Sequence, residues 1–178
     1  MRAVVKAAAD RGVEYVADAP EPKAGDGAVV VEIAAASLCG TDRECYEWSP
    51  AAQAFNLGLP VVLGHEVAGI VAAIGPDVAQ ICVGDHVVGS LAQSCGACAR
   101  CLSGRSFQCR HPESTVRRPT DAPRLSRNGA GLFQGFGLGG FGEQALVQDG
   151  RAQGASIRSG RVARLWRCNG RRLSLEYG

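Results

Sequence analysis

No stretch of the chain is apolar for long enough to cross a bilayer. The longest such run, residues 60–74, carries His65 and Glu66 and falls short of the roughly 20 residues a helical span needs. A secretory segment is missing too, because Met1-Arg2-Ala3-Val4-Val5-Lys6 gives way to Asp10 and Arg11 before an apolar core can build. There is no internal repeat, which excludes a repeat architecture. There is little net charge: 19 Lys and Arg stand against 17 Asp and Glu, a net of +2, which gives no case for nucleic acid or membrane partners. These absences point to a cytoplasmic protein in a reducing compartment. The eight cysteines are then expected as metal ligands or core residues ahead of disulfides.

What is present suits one domain with a real core. Of the 178 residues, 46% are hydrophobic and 20% charged, ordinary values for a globular chain. The 24 glycines favour strands and tight turns over long helices. Charge is unevenly spread. Residues 1–150 hold 12 Lys and Arg against 16 Asp and Glu, whereas residues 151–178 hold seven Arg against Glu176 alone. That last segment has few strand or helix cues, so it reads as a disordered basic tail or as an aberrant terminus translated out of frame. The domain is therefore expected over residues 1–150.

Short β runs at residues 3–7, 13–16, 28–33, 67–74 and 86–91 alternate with turn signals such as Gly25-Asp26-Gly27, Gly75-Pro76-Asp77 and Gly84-Asp85. They predict a mainly β (α+β) fold of barrel or sandwich type. One short helix is predicted over residues 41–48, with Thr41 as N-cap and Glu44 three positions on. Residues 113–130 read as a long polar loop. Residues 131–142 are a glycine-rich turn leading to a last strand at 143–147. Residues 92–112 are dense in cysteine and follow neither the helical nor the strand period, so they need something besides an apolar core to hold them.

Cys95, Cys98, Cys101 and Cys109 follow the spacing C-x2-C-x2-C-x7-C. Two-residue gaps let neighbouring thiolates face one centre, and the longer gap lets the chain return to close a tetrahedral cage. Four sulfurs with no open position make a structural zinc site, whose binding supplies folding free energy. An iron–sulfur cluster would more often show a three-residue final gap followed by Pro; here Arg110-His111 follow. A second group is sparser. Cys39 and His65 are candidate ligands of a catalytic zinc, with Glu66 as a ligand or exchange partner. Thr41 carries a hydroxyl suited to pass on a proton, and Asp42 could fix the tautomer of His65. Taken alone, one Cys and one His read more often as a core thiol and a satisfied imidazole than as metal ligands. Cys45 and Cys82 carry no spacing signal and read as buried small apolar residues.

The order of these motifs resembles the zinc-dependent medium-chain alcohol dehydrogenase family. Gly64-His65-Glu66-x2-Gly69-x5-Gly75-x2-Val78 is similar to its zinc signature, and Gly84-Asp85-x-Val87 to its downstream turn. The Cys95/98/101/109 spacing is similar to its structural-zinc lobe. Cys39-Gly40-Thr41-Asp42 resembles the threonine, polyol and glucose dehydrogenase version. The resemblance covers about residues 1–148. It implies a GroES-like, partly open β-barrel with a four-cysteine zinc lobe over residues 92–112. It implies a structural zinc, a catalytic zinc on Cys39 and His65 that lowers the pKa of a small-molecule alcohol, proton relay through Thr41, and hydride transfer to NAD(P). It also implies a homo-oligomer for the intact protein.

The nucleotide-binding Rossmann domain of that family is expected to be absent here, and the isolated chain to be inactive. Gly135-Phe136-Gly137-Leu138-Gly139-Gly140 fits G-x-G-x-x-G only as text. A dinucleotide site needs a strand before it, a helix after it and an acid about twenty residues on. A strand follows instead, so the segment reads as a turn. Glu176 lies near the spacing of a further acidic ligand, in surroundings unlike the family's. The alternative functions are a non-catalytic, zinc-stapled GroES-like interaction module and a redox sensor built on the cysteine cluster.

Overall fold

Ten-residue β3 (Ala28–Ser37) is the spine of the second of two sheets. Its first half is buried because Val29, Val30 and Val31 are packed on both faces. In the computed structural model, residues 1–76, 78, 81–89, 91, 94–95, 98–111, 121–148, 157–159, 167–168 and 171–172 are described. The first sheet has the order β2-β1-β4-β8-β7, with β1 (Ala3–Lys6), β2 (Glu14–Val16), β4 (Val61–Val62), β7 (Leu125–Arg127) and β8 (Ala130–Gln134). All its pairings are antiparallel except β4 with β8. The second has the order β10-β6-β5-β3-β9, with β5 (Glu66–Ile74), β6 (His86–Gly89), β9 (Gln144–Gln148) and β10 (Ile157–Ser159). The mainly β fold expected from the alternation is what forms, with the sheets curled into a partly open barrel. No dinucleotide-binding α/β unit occurs among the described residues.

Strand β5 carries the period-two signal cleanly: Val67, Gly69 and Val71 face inward while Glu66, Ile70 and Ala72 face out. Gly69 is required there, since a Cβ would lie 2.2 Å from the Glu32 carbonyl oxygen of the neighbouring strand. Two β-bulges in the β3–β5 ladder, at Val30/Val31 and Ile33/Ala35, add the local bend that curls a sheet. One core gathers Val29, Val31, Val71, Val87, Leu138 and Val147; another gathers Val5, Val16, Val62, Leu125 and Leu132.

Two helices close one end. Helix α1 (Gly40–Glu47) begins one residue earlier than expected, and its N-cap is Cys39, not Thr41. The cap moves because the acid three positions after Cys39, Asp42, accepts the Cys39 backbone N–H at 2.9 Å. Glu44, the acid that suggested a Thr41 cap, instead hydrogen-bonds Ser49, the N-cap of α2 (Pro50–Ala54). At the far end of α1, Lys6 is completely buried and donates to the carbonyls of Asp10, Gly12 and Tyr46, with its ammonium 5.4 Å from the Trp48 ring centre. A cation at a helix C-terminus is favourable, and this one ties β1 to the helix that carries Cys39.

Several expectations need correction. The polar loop of residues 113–130 contains β7 and leads directly into β8, a hairpin on the edge of the first sheet; residues 112–120 lie outside the described set. Helix α2, strand β4 and the small helix α3 (Ala99–Leu102) go beyond the elements the sequence predicts. Cys45 is buried beside Ala52, Val61 and Leu63, but Cys82 is half-buried and disulfide-bonded rather than a core thiol. In the arginine-rich segment, β10 pairs with β6, and β11 (Arg167–Cys168) pairs with β12 (Arg171–Arg172); the sequence offers few cues for these strands. Glu176 lies outside the described residues.

Candidate metal centres

Between β6 and β7, four described cysteines converge. The ligand atoms of Cys95, Cys98, Cys101 and Cys109 all lie within 4.8 Å of one another. Cys98 Sγ is 3.5 Å and Cys95 Sγ 3.9 Å from Cys101 Sγ. A tetrahedral zinc with Zn–S bonds of about 2.3 Å has sulfur–sulfur edges of about 3.8 Å. The quartet therefore has the dimensions of that cage, and none of its members is in a disulfide. The backbone is arranged for thiolates. Cys98 N–H donates to Cys95 Sγ at 3.3 Å, while Cys95 N–H and His111 N–H donate to Cys109 Sγ at 3.4 and 3.3 Å. The backbone N–H of Arg110, with that of Cys101, pulls the Cys98 thiol down to about 6. The N–H of Cys95 likewise lowers Cys109, against the opposing effect of burial. Donors aimed at an anion favour the ionised form, which is the form that binds metal.

The second cluster is assembled from two separate segments of chain. Cys39 follows β3 and caps α1, whereas His65 and Glu66 enter β5. Their ligand atoms also lie within 4.8 Å of one another. His65 is buried, Cys39 half-buried and Glu66 exposed, so the group opens to one side. Thr41 Oγ1 sits 3.6 Å from Cys39 Sγ. Asp42, itself buried, places Oδ1 3.5 Å from His65 Nδ1. That is ion-pair range without a hydrogen bond, and among the described residues Nδ1 is a buried nitrogen without a hydrogen-bond partner. A buried ring nitrogen is costly to leave unsatisfied, and Asp42 is the carboxylate beside it. The thiol, imidazole and carboxylate donors, with an open fourth side, fit a catalytic zinc rather than a closed structural one. All the residues predicted for the two sites thus fall into two clusters.

The glycine-rich segment proves to be the support of this cluster. Gly64 has φ 87°, and a Cβ on it would meet the Phe141 backbone nitrogen at 2.6 Å. Gly140 N–H donates to Gly64 O at 2.9 Å and Phe141 N–H to Leu63 O at 2.8 Å. The turn of residues 135–140 therefore fixes the chain that delivers His65, and it leads into β9 as expected rather than into a helix. It also brings in a residue that sequence reasoning passed over: the ring of Phe136 is 5.0 Å from that of His65 and 5.5 Å from that of Phe55, edge to face in both cases. The available signal was a bulky residue between Gly135 and Gly137.

Residues 25–154 match the family described as Alcohol dehydrogenase GroES-like domain. Among curated relatives, the L-threonine 3-dehydrogenase of Alteromonas mediterranea is 38% identical over 120 residues, which is 67% of this chain and 35% of that protein. That of Marinomonas sp. is 36% identical over 110 residues, 62% of this chain and 32% of that protein. The chain thus spans about a third of the length of these relatives. Among solved structures, an alcohol dehydrogenase zinc-binding domain protein from Burkholderia ambifaria superposes with a TM-score of 0.65 at 29% identity, covering 85% of this chain and 40% of that one. The benzyl alcohol dehydrogenase of Acinetobacter calcoaceticus superposes with a TM-score of 0.61 at 30% identity, covering 83% and 38%.

Proposed function

The chain belongs to the alcohol dehydrogenase GroES-like domain family, and on that premise we propose that it is the zinc-binding, substrate-side part of an NAD(P)-dependent dehydrogenase acting on a CH–OH group. The observation that carries this reading is the convergence of Cys39, His65 and Glu66 within 4.8 Å. In it, the Cys95/98/101/109 quartet holds a structural zinc, while Cys39, His65 and Glu66 hold a catalytic one. Zinc bound there supplies Lewis acidity that lowers the pKa of an alcohol hydroxyl. The chain's own residues do the rest. Asp42, with Oδ1 3.5 Å from His65 Nδ1, would orient the imidazole from that side. Thr41 Oγ1, 3.6 Å from the Cys39 sulfur, takes the substrate's hydroxyl proton and passes it outward. Hydride acceptance from the carbinol carbon is the chemistry that an NAD(P) nicotinamide would supply in the whole protein.

No nucleotide-binding unit occurs among the described residues, so the 178-residue chain on its own is expected to turn over no alcohol. The relatives' names offer L-threonine and benzyl alcohol as substrates, and polyols and sugars are the further classes in this reading. A cytoplasmic setting and a homo-oligomeric whole protein complete it; no described helix is long and apolar enough to cross a membrane. The interaction-module reading draws on Leu102 and Phe107, both about three-quarters exposed on the cysteine lobe.

Metal analysis separates the two. The dehydrogenase reading expects two zinc ions per chain, one lost in Cys39→Ser and the other in Cys98→Ser. A single zinc that survives Cys39→Ser sinks the catalytic site and leaves the module.

A further inference from the structure

We propose that Lys6 is a positioning residue for the second cluster: its main chain braces the segment that delivers His65, its side chain grips the helix that delivers Cys39, and it thereby sets how the two ligands stand to one another. The inference rests on the reading of Cys39, His65 and Glu66 as a metal site. On the His65 side, β1 pairs Lys6 with Val61 of β4, and Val4 O accepts the Leu63 N–H at 3.2 Å. Strand β1 thus supports the chain to within two residues of His65. On the Cys39 side, the Tyr46 carbonyl in the last turn of α1 accepts from Lys6 Nζ at 3.4 Å and from the Gly12 N–H at 2.8 Å. The same Nζ donates to Gly12 O at 2.9 Å and to Asp10 O. One residue therefore joins the two segments whose side chains meet at the cluster.

A buried cation is a poor choice where the only need is to fill space. Lys6 is completely buried, and the carboxylate paired with it, that of Asp10, stands 3.9 Å away on a side chain 75% exposed. Desolvating an ammonium is costly, and an apolar side chain of equal volume would avoid that cost. What the ammonium adds is direction. It meets three carbonyls, the C-terminal end of a helix and the ring of Trp48 at 5.4 Å, and Trp48 is itself the C-cap of α1. Apolar contacts let a helix of two turns slide and rotate, whereas directional bonds at its end hold one height and one angle. The ion pair of Arg11 with Glu47 spans the same junction, but both side chains are exposed, and such a pair contributes little. Helix α1 has eight residues, so a tilt at Tyr46 reaches Cys39 over about 10 Å of rigid backbone. Metal ligation accepts distance errors of only about 0.2 Å, so a slight tilt is enough to spoil a site drawn from two segments. The cysteine quartet has no part in this linkage.

The test titrates cobalt(II) into the 178-residue chain and reads the visible spectrum, with Cys39→Ser supplying the contribution of the quartet alone. Lys6→Met is expected to bind cobalt at the second cluster about tenfold more weakly, with an altered absorption envelope there and an unchanged quartet. Leu125→Ala, in the core of the first sheet with Val16 and Leu132, lowers stability without touching the linkage and is expected to keep both spectra and both affinities. Lys6→Gln keeps one donor for the carbonyls, so it is expected to fall between wild type and Lys6→Met, and it carries the test by itself should Lys6→Met not fold. Wild-type affinity and spectrum in the folded Lys6 variant, or the same loss in Leu125→Ala, overturn the positioning role alone. A wild-type chain that binds cobalt only at the quartet overturns the metal-site reading, and the positioning role with it.

Discussion

The carboxylate of Asp42 reaches His65 across the gap between two chain segments 23 positions apart, with Oδ1 3.5 Å from Nδ1, while its other oxygen holds the Cys39 backbone N–H at 2.9 Å. One buried side chain thus sets the cap of α1 and lies beside the imidazole, where we propose that it orients the ring. Asp42→Asn can still accept the Cys39 N–H but brings no negative charge to His65. Zinc affinity at the Cys39/His65/Glu66 cluster should fall about 10–100-fold, with the cysteine quartet unaffected. Competition with a chromogenic chelator in wild type and variant reads both sites; equal affinities would remove the orienting role.

Metal removal should act locally on the lobe. Its described residues lack an apolar core of their own, and Leu102 and Phe107 are exposed, so a zinc held by the quartet would be the main source of order there. Stripping with chelator, or Cys101→Ser, should make Arg105 and Arg110 rapid trypsin sites while the sheets stay intact by circular dichroism. Unchanged cleavage would show that the lobe folds without metal.

Lys6→Met should destabilise the chain by about 1–3 kcal/mol. The substitution keeps the volume but leaves the carbonyls of Asp10, Gly12 and Tyr46 without the donor they share. Urea midpoints at equal slope measure it; a loss well below about 1 kcal/mol would mean that water replaces the ammonium.

Gly64→Ala combines an unfavourable backbone angle with a Cβ driven onto the Phe141 backbone nitrogen. A cost of about 1–3 kcal/mol follows from the overpacking alone, and His65, the next residue, should move with it. The variant is expected to lose zinc from the second site before it loses its fold, which metal content and thermal melting together would reveal.

Stability should also fall in acid through two surface pairs. Arg2 beside Glu143 and Arg127 beside Asp18 hold both carboxyls below their usual values of 4.5 and 3.8. A carboxyl lowered in the folded state contributes stability that is complete above its unfolded value and lost as pH falls through the folded one. Glu143→Gln should therefore be less stable than wild type at neutral pH, and the gap should close as pH falls below the usual glutamate value of 4.5. Both groups are exposed, so the effect is small and shrinks with added salt. A gap independent of pH would assign the loss to packing.

The sequence by itself determined the mainly β fold, because alternating apolar residues and glycine turns leave few other ways to bury Val29–Val31 and Val67–Val71. It determined the cysteine quartet as well, since close spacing forces neighbouring thiols to one point. It did not reveal the α1 cap, because Thr41 and Glu44 suggest a cap from the sequence, whereas in the fold Asp42 accepts the Cys39 N–H and Glu44 turns to Ser49. The union of Cys39 with His65, the burial of Lys6 against α1 and the meeting of Phe136 with His65 and Phe55 were decided by tertiary structure. Each joins residues too far apart in the chain for any short-range pattern to record, and each depends on how two curled sheets and a glycine turn close on one another.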